Sequence, residues 1–167
     1  LMAVQVLLPT SVGGWTGTNI VGGLSALDSI RDRANDSTYL NQNRNQASST
    51  ANLSFEPFTL PPGSVTTGVR GRWRVRSDHY PNQNSLSLNV LSITAPGLTI
   101  LGAQGPITVG YGGSTSAFIE YGYPSGFTSA PNLTQAQVNG LGWSFNTTHP
   151  SFANGVHFAG VWLELEY

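Results

Sequence analysis

The chain has no cysteine, no lysine and little charge of either sign, and each shortage removes a class of chemistry. Without cysteine there is no disulfide framework, no thiolate nucleophile and no thiolate-bound metal, and the redox compartment leaves no mark. Without lysine there is neither a Schiff-base amine nor the lysine of a phosphate-binding loop. All seven basic residues are arginine, which suggests a GC-rich gene, since arginine codons can be GC-rich and lysine codons cannot. Charged residues make up 9% of the chain and the net charge is −1, so no strongly basic or acidic body exists to attract a polyanion or polycation. Long apolar runs are missing too. Val6 to Leu8 is far too short for a leader or a membrane span, so neither a membrane nor a targeting segment is expected.

Glycine, serine, threonine and asparagine are plentiful, with 20 glycines and 10 prolines, and 39% of the residues are hydrophobic. At 167 residues the chain is the size of one ordinary domain, and a domain of that size hides roughly 70% of the surface of its unfolded chain. No repeat of 20 to 50 residues and no shift in composition marks a second unit, so residues 1–167 are read as a single domain.

Turn residues divide this domain into short strands. Val4 to Leu8 is β-compatible and is ended by Pro9 and Gly13-Gly14. Leu24, Leu27 and Ile30 are spaced as on a helix without deciding the matter. Arg31-Asp32-Arg33 with Asn35-Asp36-Ser37 reads as a polar loop, and residues 42–50 form an Asn/Gln/Ser-rich excursion with few apolar anchors. Leu60-Pro61-Pro62-Gly63-Ser64 is a stiff turn into the best strand of the sequence. There Val65, Val69, Trp73 and Val75 alternate with Arg70, Arg72, Arg74 and Arg76.

Leu86, Leu88, Val90, Leu91 and Ile93 read as its antiparallel return strand. Pro96-Gly97, Gly102, Gly105-Pro106 and Gly112-Gly113 then cut off further short strands. Thr134 or Asn132 can cap one helical turn that Gly140 stops. In the last strand Ala159, Val161, Leu163, Leu165 and Tyr167 share one face, and Glu164 and Glu166 share the other. The expected fold is all-β: an antiparallel two-sheet, jelly-roll-like sandwich of about eight strands, with one short helix near residues 133–139.

Catalytic motifs are missing. There is no Gly-x-Ser-x-Gly elbow, and Asp78-His79, His149 and His157 lack metal-ligand spacing, so no catalytic residue, cofactor or metal is expected. Glu56, Glu120, Glu164 and Glu166 do not single out a glycosidase pair, because any fold with eight acids offers some pair of carboxylates. The sequons at Asn35, Asn52, Asn132 and Asn146 are what an Asn/Ser/Thr-rich chain produces by chance.

Two constellations can bind. Arg70, Arg72, Arg74 and Arg76 stand about 7 Å apart on one strand face. They can serve as a polyanion stripe, a charge-paired face with Glu164 and Glu166 as partners, or a subunit contact. The net charge and the lack of stacking aromatics between the arginines weigh against nucleic acid. The second constellation is Tyr121, Tyr123 and Phe127 in the segment Tyr121-Gly122-Tyr123-Pro124-Ser125-Gly126-Phe127, read as a loop tip able to stack on sugar rings.

Several segments in order resemble the small jelly-roll virion proteins found on the capsid or tail surface of tailed bacteriophages. They are Gly14-Trp15-Thr16-Gly17, Asn35-Asp36-Ser37-Thr38-Tyr39, Leu60-Pro61-Pro62-Gly63-Ser64, Val69 to Arg76, Leu133-Thr134 to Leu141, and Val161-Trp162-Leu163-Glu164-Leu165-Glu166-Tyr167. The resemblance implies a non-enzymatic virion structural protein, a capsid decoration protein that binds the major capsid protein as a homo-oligomer such as a trimer. Its alternative is a tail- or fibre-associated protein or a carbohydrate-binding module for host-surface glycans. The first strand and residues 41–50 are the segments expected to reach toward neighbouring subunits.

Overall fold

A computed structural model of the chain describes residues 2–15, 18–21, 25–31, 33, 39–42, 50–77, 86–104, 107–109, 118–148 and 156–167. Among them the elements run β1 (Val4–Leu7), β2 (Pro9–Gly13), β3 (Thr18–Val21), α1 (Ala26–Arg31), β4 (Tyr39–Gln42), β5 (Thr50–Phe55) and β6 (Gly68–Ser77). They continue with β7 (Leu86–Ala95), β8 (Leu98–Leu101), β9 (Ile107–Val109), β10 (Ile119–Ser129), α2 (Gln135–Asn139), β11 (Gly142–Thr148) and β12 (Val156–Glu166).

The strands form two six-stranded antiparallel sheets. The first has the order β10-β6-β12-β4-β3, with β1 also on β12; the second has the order β2-β5-β11-β7-β8, with β9 on β7. The all-β sandwich expected from the sequence is the fold found. Strands outnumber the expected eight partly because one extended segment serves both sheets. β1 and β2 are separated only by Leu8, where Glu56 accepts a hydrogen bond from the Leu8 N–H and donates its own N–H to the Leu8 carbonyl.

The core lies between the sheets. Trp73 of β6 meets Trp143 of β11 at 4.6 Å between ring centroids and Phe145 at 5.5 Å edge-on, and Phe145 in turn meets Phe158 of β12 at 5.5 Å. Val69, Trp73, Val75, Leu88, Val90, Ile93, Trp143 and Leu163 are all buried. From Val69 onward alternation on β6 works as expected, with apolar residues inward and arginines outward, but Val65, expected on the inward face, precedes the strand and is exposed.

Its partners differ from the expectation. β6 does not pair with β7, because β7 belongs to the other sheet, and its neighbours are β10 and β12. The apolar faces of β6 and β7 meet across the core instead of side by side, a relation that alternation cannot distinguish from pairing.

Two proline turns set the chain's direction. Ser64 donates its N–H to the Pro61 carbonyl across Pro62-Gly63, where Gly63 has φ +79°, and Pro96-Gly97 joins β7 to β8 with Gly97 at φ +73°. Proline followed by a residue with positive φ is the arrangement a type II turn requires.

α2 has the expected cap at Thr134, which accepts from the Gln137 N–H while Gln137 caps the Thr134 N–H in return. A second helix, α1, takes in Leu27 and Ile30 of the helical spacing, while Leu24 lies outside the described residues. Ser25 caps it by accepting from the Asp28 N–H, and Ile30 is buried. The first strand, expected to reach toward a neighbour, pairs with β12 of its own chain and buries Leu7. Of residues 41–50, positions 41 and 42 belong to β4, 50 opens β5, and 43–49 lie outside the described residues, as does the turn at 78–84.

Candidate functional site

The outward arginines of β6 are engaged within the chain. Arg70 donates from Nε to Glu164 and from Nη1 to the Ser125 carbonyl at 3.1 Å, and its guanidinium lies 4.6 Å from the Phe127 ring centroid. Arg72 and Arg74 share Glu120, at 3.2 and 3.6 Å. Arg76 donates from Nε to Nδ1 of His157 at 2.9 Å and stacks on Phe118 at 4.7 Å. Cross-strand register explains these partners: Glu164 stands opposite Arg70, Glu120 opposite Arg74 and His157 opposite Arg76. Glu166 is not an arginine partner, because it stands opposite Gly68 and accepts from the Thr67 hydroxyl.

Two features of this face correct the reading of β12 and of the aromatics. A bulge between Phe158 and Gly160 puts Phe158, rather than Ala159, at the inward position opposite Val75. Downstream of it Trp162 lands on the arginine face opposite Arg72, so an aromatic does stand among the arginines. Its ring is buried, however, with the Arg33 guanidinium 4.7 Å and the Arg72 guanidinium 6.0 Å from its centroid. The indole N–H donates to Glu164 at 3.3 Å. A ring so enclosed cannot stack on a ligand.

The aromatic cluster at 121–127 is part of β10 rather than a loop tip, with a bulge between Tyr123 and Thr128. Tyr121 stands opposite Trp73 and packs on the core. Phe127 is half-buried beneath Arg70. The side chain of Tyr123 lies outside the described residues, as do those of Tyr80 and Tyr111. Tyr121 and Phe127 are thus both partly exposed, each with one side engaged by its own chain.

What the face does offer is a groove of about 960 Å3 lined by Val6 and Leu8, Glu56, Asp28, Arg31 and Arg33, Arg74 and Glu120. This is at the upper end of the ~300–1,000 Å3 common for ligand sites. β1 and the segment after β5 supply Val6, Leu8 and Glu56. α1 and the residues just after it supply Asp28, Arg31 and Arg33, while β6 and β10 supply Arg74 and Glu120.

Gly160 makes the approach of this segment possible. A Cβ there would meet the Arg33 Cα and the Arg74 Cβ at 3.4 Å and the Trp162 ring at 3.3 Å, so a larger side chain would push the groove wall outward. A second depression of about 450 Å3 is lined by Met2, Ala3, Ser64, Val65, Thr67 and Tyr167, with no charged side chain among these described residues. Among the described residues no group of three or more His, Cys, Asp or Glu is placed to hold a metal ion.

Sequence reasoning found Arg74 but missed Asp28, Arg31, Arg33 and Glu56 as site residues. They come from two separate segments that only the fold brings together with β6, and the one local signal was the Arg31-Asp32-Arg33 motif, read as a polar loop.

No protein-family model and no curated protein matches this sequence. Solved structures with some likeness include the enzymatically active domain of tailspike protein 4 of bacteriophage CBA120, at 11% identity and TM-score 0.46 over 98% of this chain and 19% of that one. A family 16 carbohydrate-binding module matches at 7% identity and TM-score 0.44, over 90% of this chain and 86% of that one. The xylanase 10B CBM22-1-GH10 modules of Clostridium thermocellum, complexed with xylohexaose, match at 16% identity and TM-score 0.43, over 95% of this chain and 28% of that one. The chain thus spans about a fifth of the tailspike domain and just over a quarter of the xylanase modules. Function is therefore read from this chain's own residues.

Proposed function

We propose that the chain is a non-enzymatic β-sandwich binding domain that holds a saccharide in the groove over β12, in the setting of a virion tail or fibre surface. The observation that carries this reading is the groove itself, in which, among the described residues, three guanidinium and three carboxylate groups share the lining with the apolar side chains of Val6 and Leu8. Planar charged groups that donate and accept in pairs suit the vicinal hydroxyls of a sugar, and an apolar floor suits its C–H face.

A binding role is favoured over hydrolysis because the acids of the groove are already engaged. Glu120 is shared by Arg72 and Arg74, Glu56 accepts from the Leu8 N–H, and Asp28 accepts from the Ser25 hydroxyl at 2.8 Å. Glycoside hydrolysis needs one carboxyl group protonated and another free to attack or to activate water. The large apolar side chains exposed among the described residues are Met2, Val4, Val65, Leu98 and Ile119, of which Met2 and Val65 line the smaller depression and none lines the groove.

The test is calorimetric titration against a panel of oligosaccharides, with product analysis by chromatography. Binding of one saccharide class without cleavage, weakened about 10- to 100-fold by Arg33→Ser, is expected for the loss of a charge-assisted contact. Binding to none of the panel, or binding that ignores substitutions throughout the groove, would overturn the proposal.

A further inference from the structure

We infer that the saccharide is acidic, and that its carboxylate docks on Arg31 and Arg33. This rests on the reading of the groove as a saccharide site and names the class of sugar it takes.

The groove is nominally balanced, with Arg31, Arg33 and Arg74 against Asp28, Glu56 and Glu120. Partners distinguish the cations. Arg74 contacts Glu120, which also receives Arg72 from outside the lining. Glu56 is held by the backbone at Leu8 and Asp28 by its own helix cap, and neither forms an ion pair with an arginine among the described residues. Arg31 and Arg33 have no carboxylate partner among the described residues. Among the described residues the α1 side of the groove therefore presents two guanidinium groups that no carboxylate holds, while Asp28 and Glu56 are each turned to a neutral donor.

Arg33 is also held in place. Its guanidinium lies on the buried Trp162 ring, 4.7 Å from the centroid, while the residue itself is exposed. Stacking uses the flat face of the guanidinium and leaves its N–H edge free to donate. A cation fixed in this way loses little entropy on binding, and its fork matches the two oxygens of a carboxylate. A neutral sugar would leave both forks without an anionic acceptor. A second solvated cation, Arg31, lies two residues away on the last turn of α1.

A glycan array carrying neutral, uronate-bearing, sialate-bearing and sulfated glycans, probed with the full chain, tests this. The expected result is retention of carboxylate-bearing members, lost when their carboxyl groups are reduced to alcohols. Arg31→Ser and Arg33→Ser should each weaken binding about 10- to 100-fold. Arg33→Lys should recover only part of the loss, because the ammonium keeps the charge and loses the fork. Arg31→Ser alters an exposed side chain away from the Trp162 stack, so it reports on binding even if Arg33→Ser perturbs the fold.

Retention of neutral glycans alone would overturn this inference and leave the saccharide site standing. Equal retention of sulfated glycans, or of single-stranded DNA as a polyphosphate control, would reduce the effect to general anion attraction and overturn it. Retention of no glycan at all would remove both.

Discussion

Glu164 is the residue on which the arginine face turns. It is almost fully buried on β12, and one carboxylate oxygen accepts from Arg70 of the neighbouring β6 and the other from the indole of Trp162, two residues before it on the same strand. Replacing it with alanine strands a half-buried guanidinium and a buried N–H, so Glu164→Ala should cost about 1.5–3 kcal/mol. That corresponds to a fall in melting temperature of about 3–12 °C for a chain of this length, readable by calorimetry.

Thr66 plays a comparable part in the other polar knot. It is buried, donates to the Ala130 carbonyl at 2.7 Å and accepts from the Leu133 N–H at 2.8 Å. Thr66→Val keeps the shape and abandons both partners, and it should shift the urea midpoint by the equivalent of about 1–3 kcal/mol. Gly71 is a steric case. A Cβ there would lie 2.5–2.6 Å from three carbons of the Trp143 ring, so Gly71→Ala should destabilise by about 1–3 kcal/mol or more through overpacking.

At the scale of elements, α2 holds down the proline segment that leads into the arginine strand. Gln135 donates to the Phe58 carbonyl at 2.6 Å and accepts from the Leu60 N–H at 3.0 Å, and Asn139 accepts from the Phe58 N–H at 3.2 Å. The helix is only five residues long, so its cap matters: Thr134→Ala should cost about 1 kcal/mol by thermal unfolding.

This helix was legible because its signals are local: a capping box, a stop at Gly140 and an amphipathic turn. The alternation of β6 and the Pro-Gly turns were legible for the same reason. What stayed hidden depends on non-local pairing. Nothing near Ala159 announces the bulge that moves Phe158 inward, whereas the place of Trp162 among the arginines follows from the same alternation that puts Glu164 there. Tyr121 looks like a binding aromatic until β10 is seen paired with β6, which turns the ring toward Trp73. The partner of Arg72 and Arg74 was the least visible of all, since Glu120 stands in the middle of a segment read for its aromatics.

At the scale of the whole molecule, one sheet supplies an inner face to the core and an outer face that is half charge-paired and half open groove. The pairing takes place within one chain. Arg72→Ser with Arg74→Ser should therefore leave the sedimentation coefficient unchanged while altering groove binding, and a changed oligomeric state would mean that the arginine face is a subunit contact. Gly160→Val provides a structural control on the groove, since it should displace the Arg33 segment and weaken binding without removing any charge.

The most direct test of the account is a nuclear magnetic resonance titration of the full chain with an oligosaccharide retained on the array. The Trp162 indole and the Arg31 and Arg33 resonances should move in proportion to occupancy, and the Trp73 and Trp143 indoles in the core should stay still. Shifts confined to the Met2–Tyr167 depression, or to any surface away from β12, would contradict it.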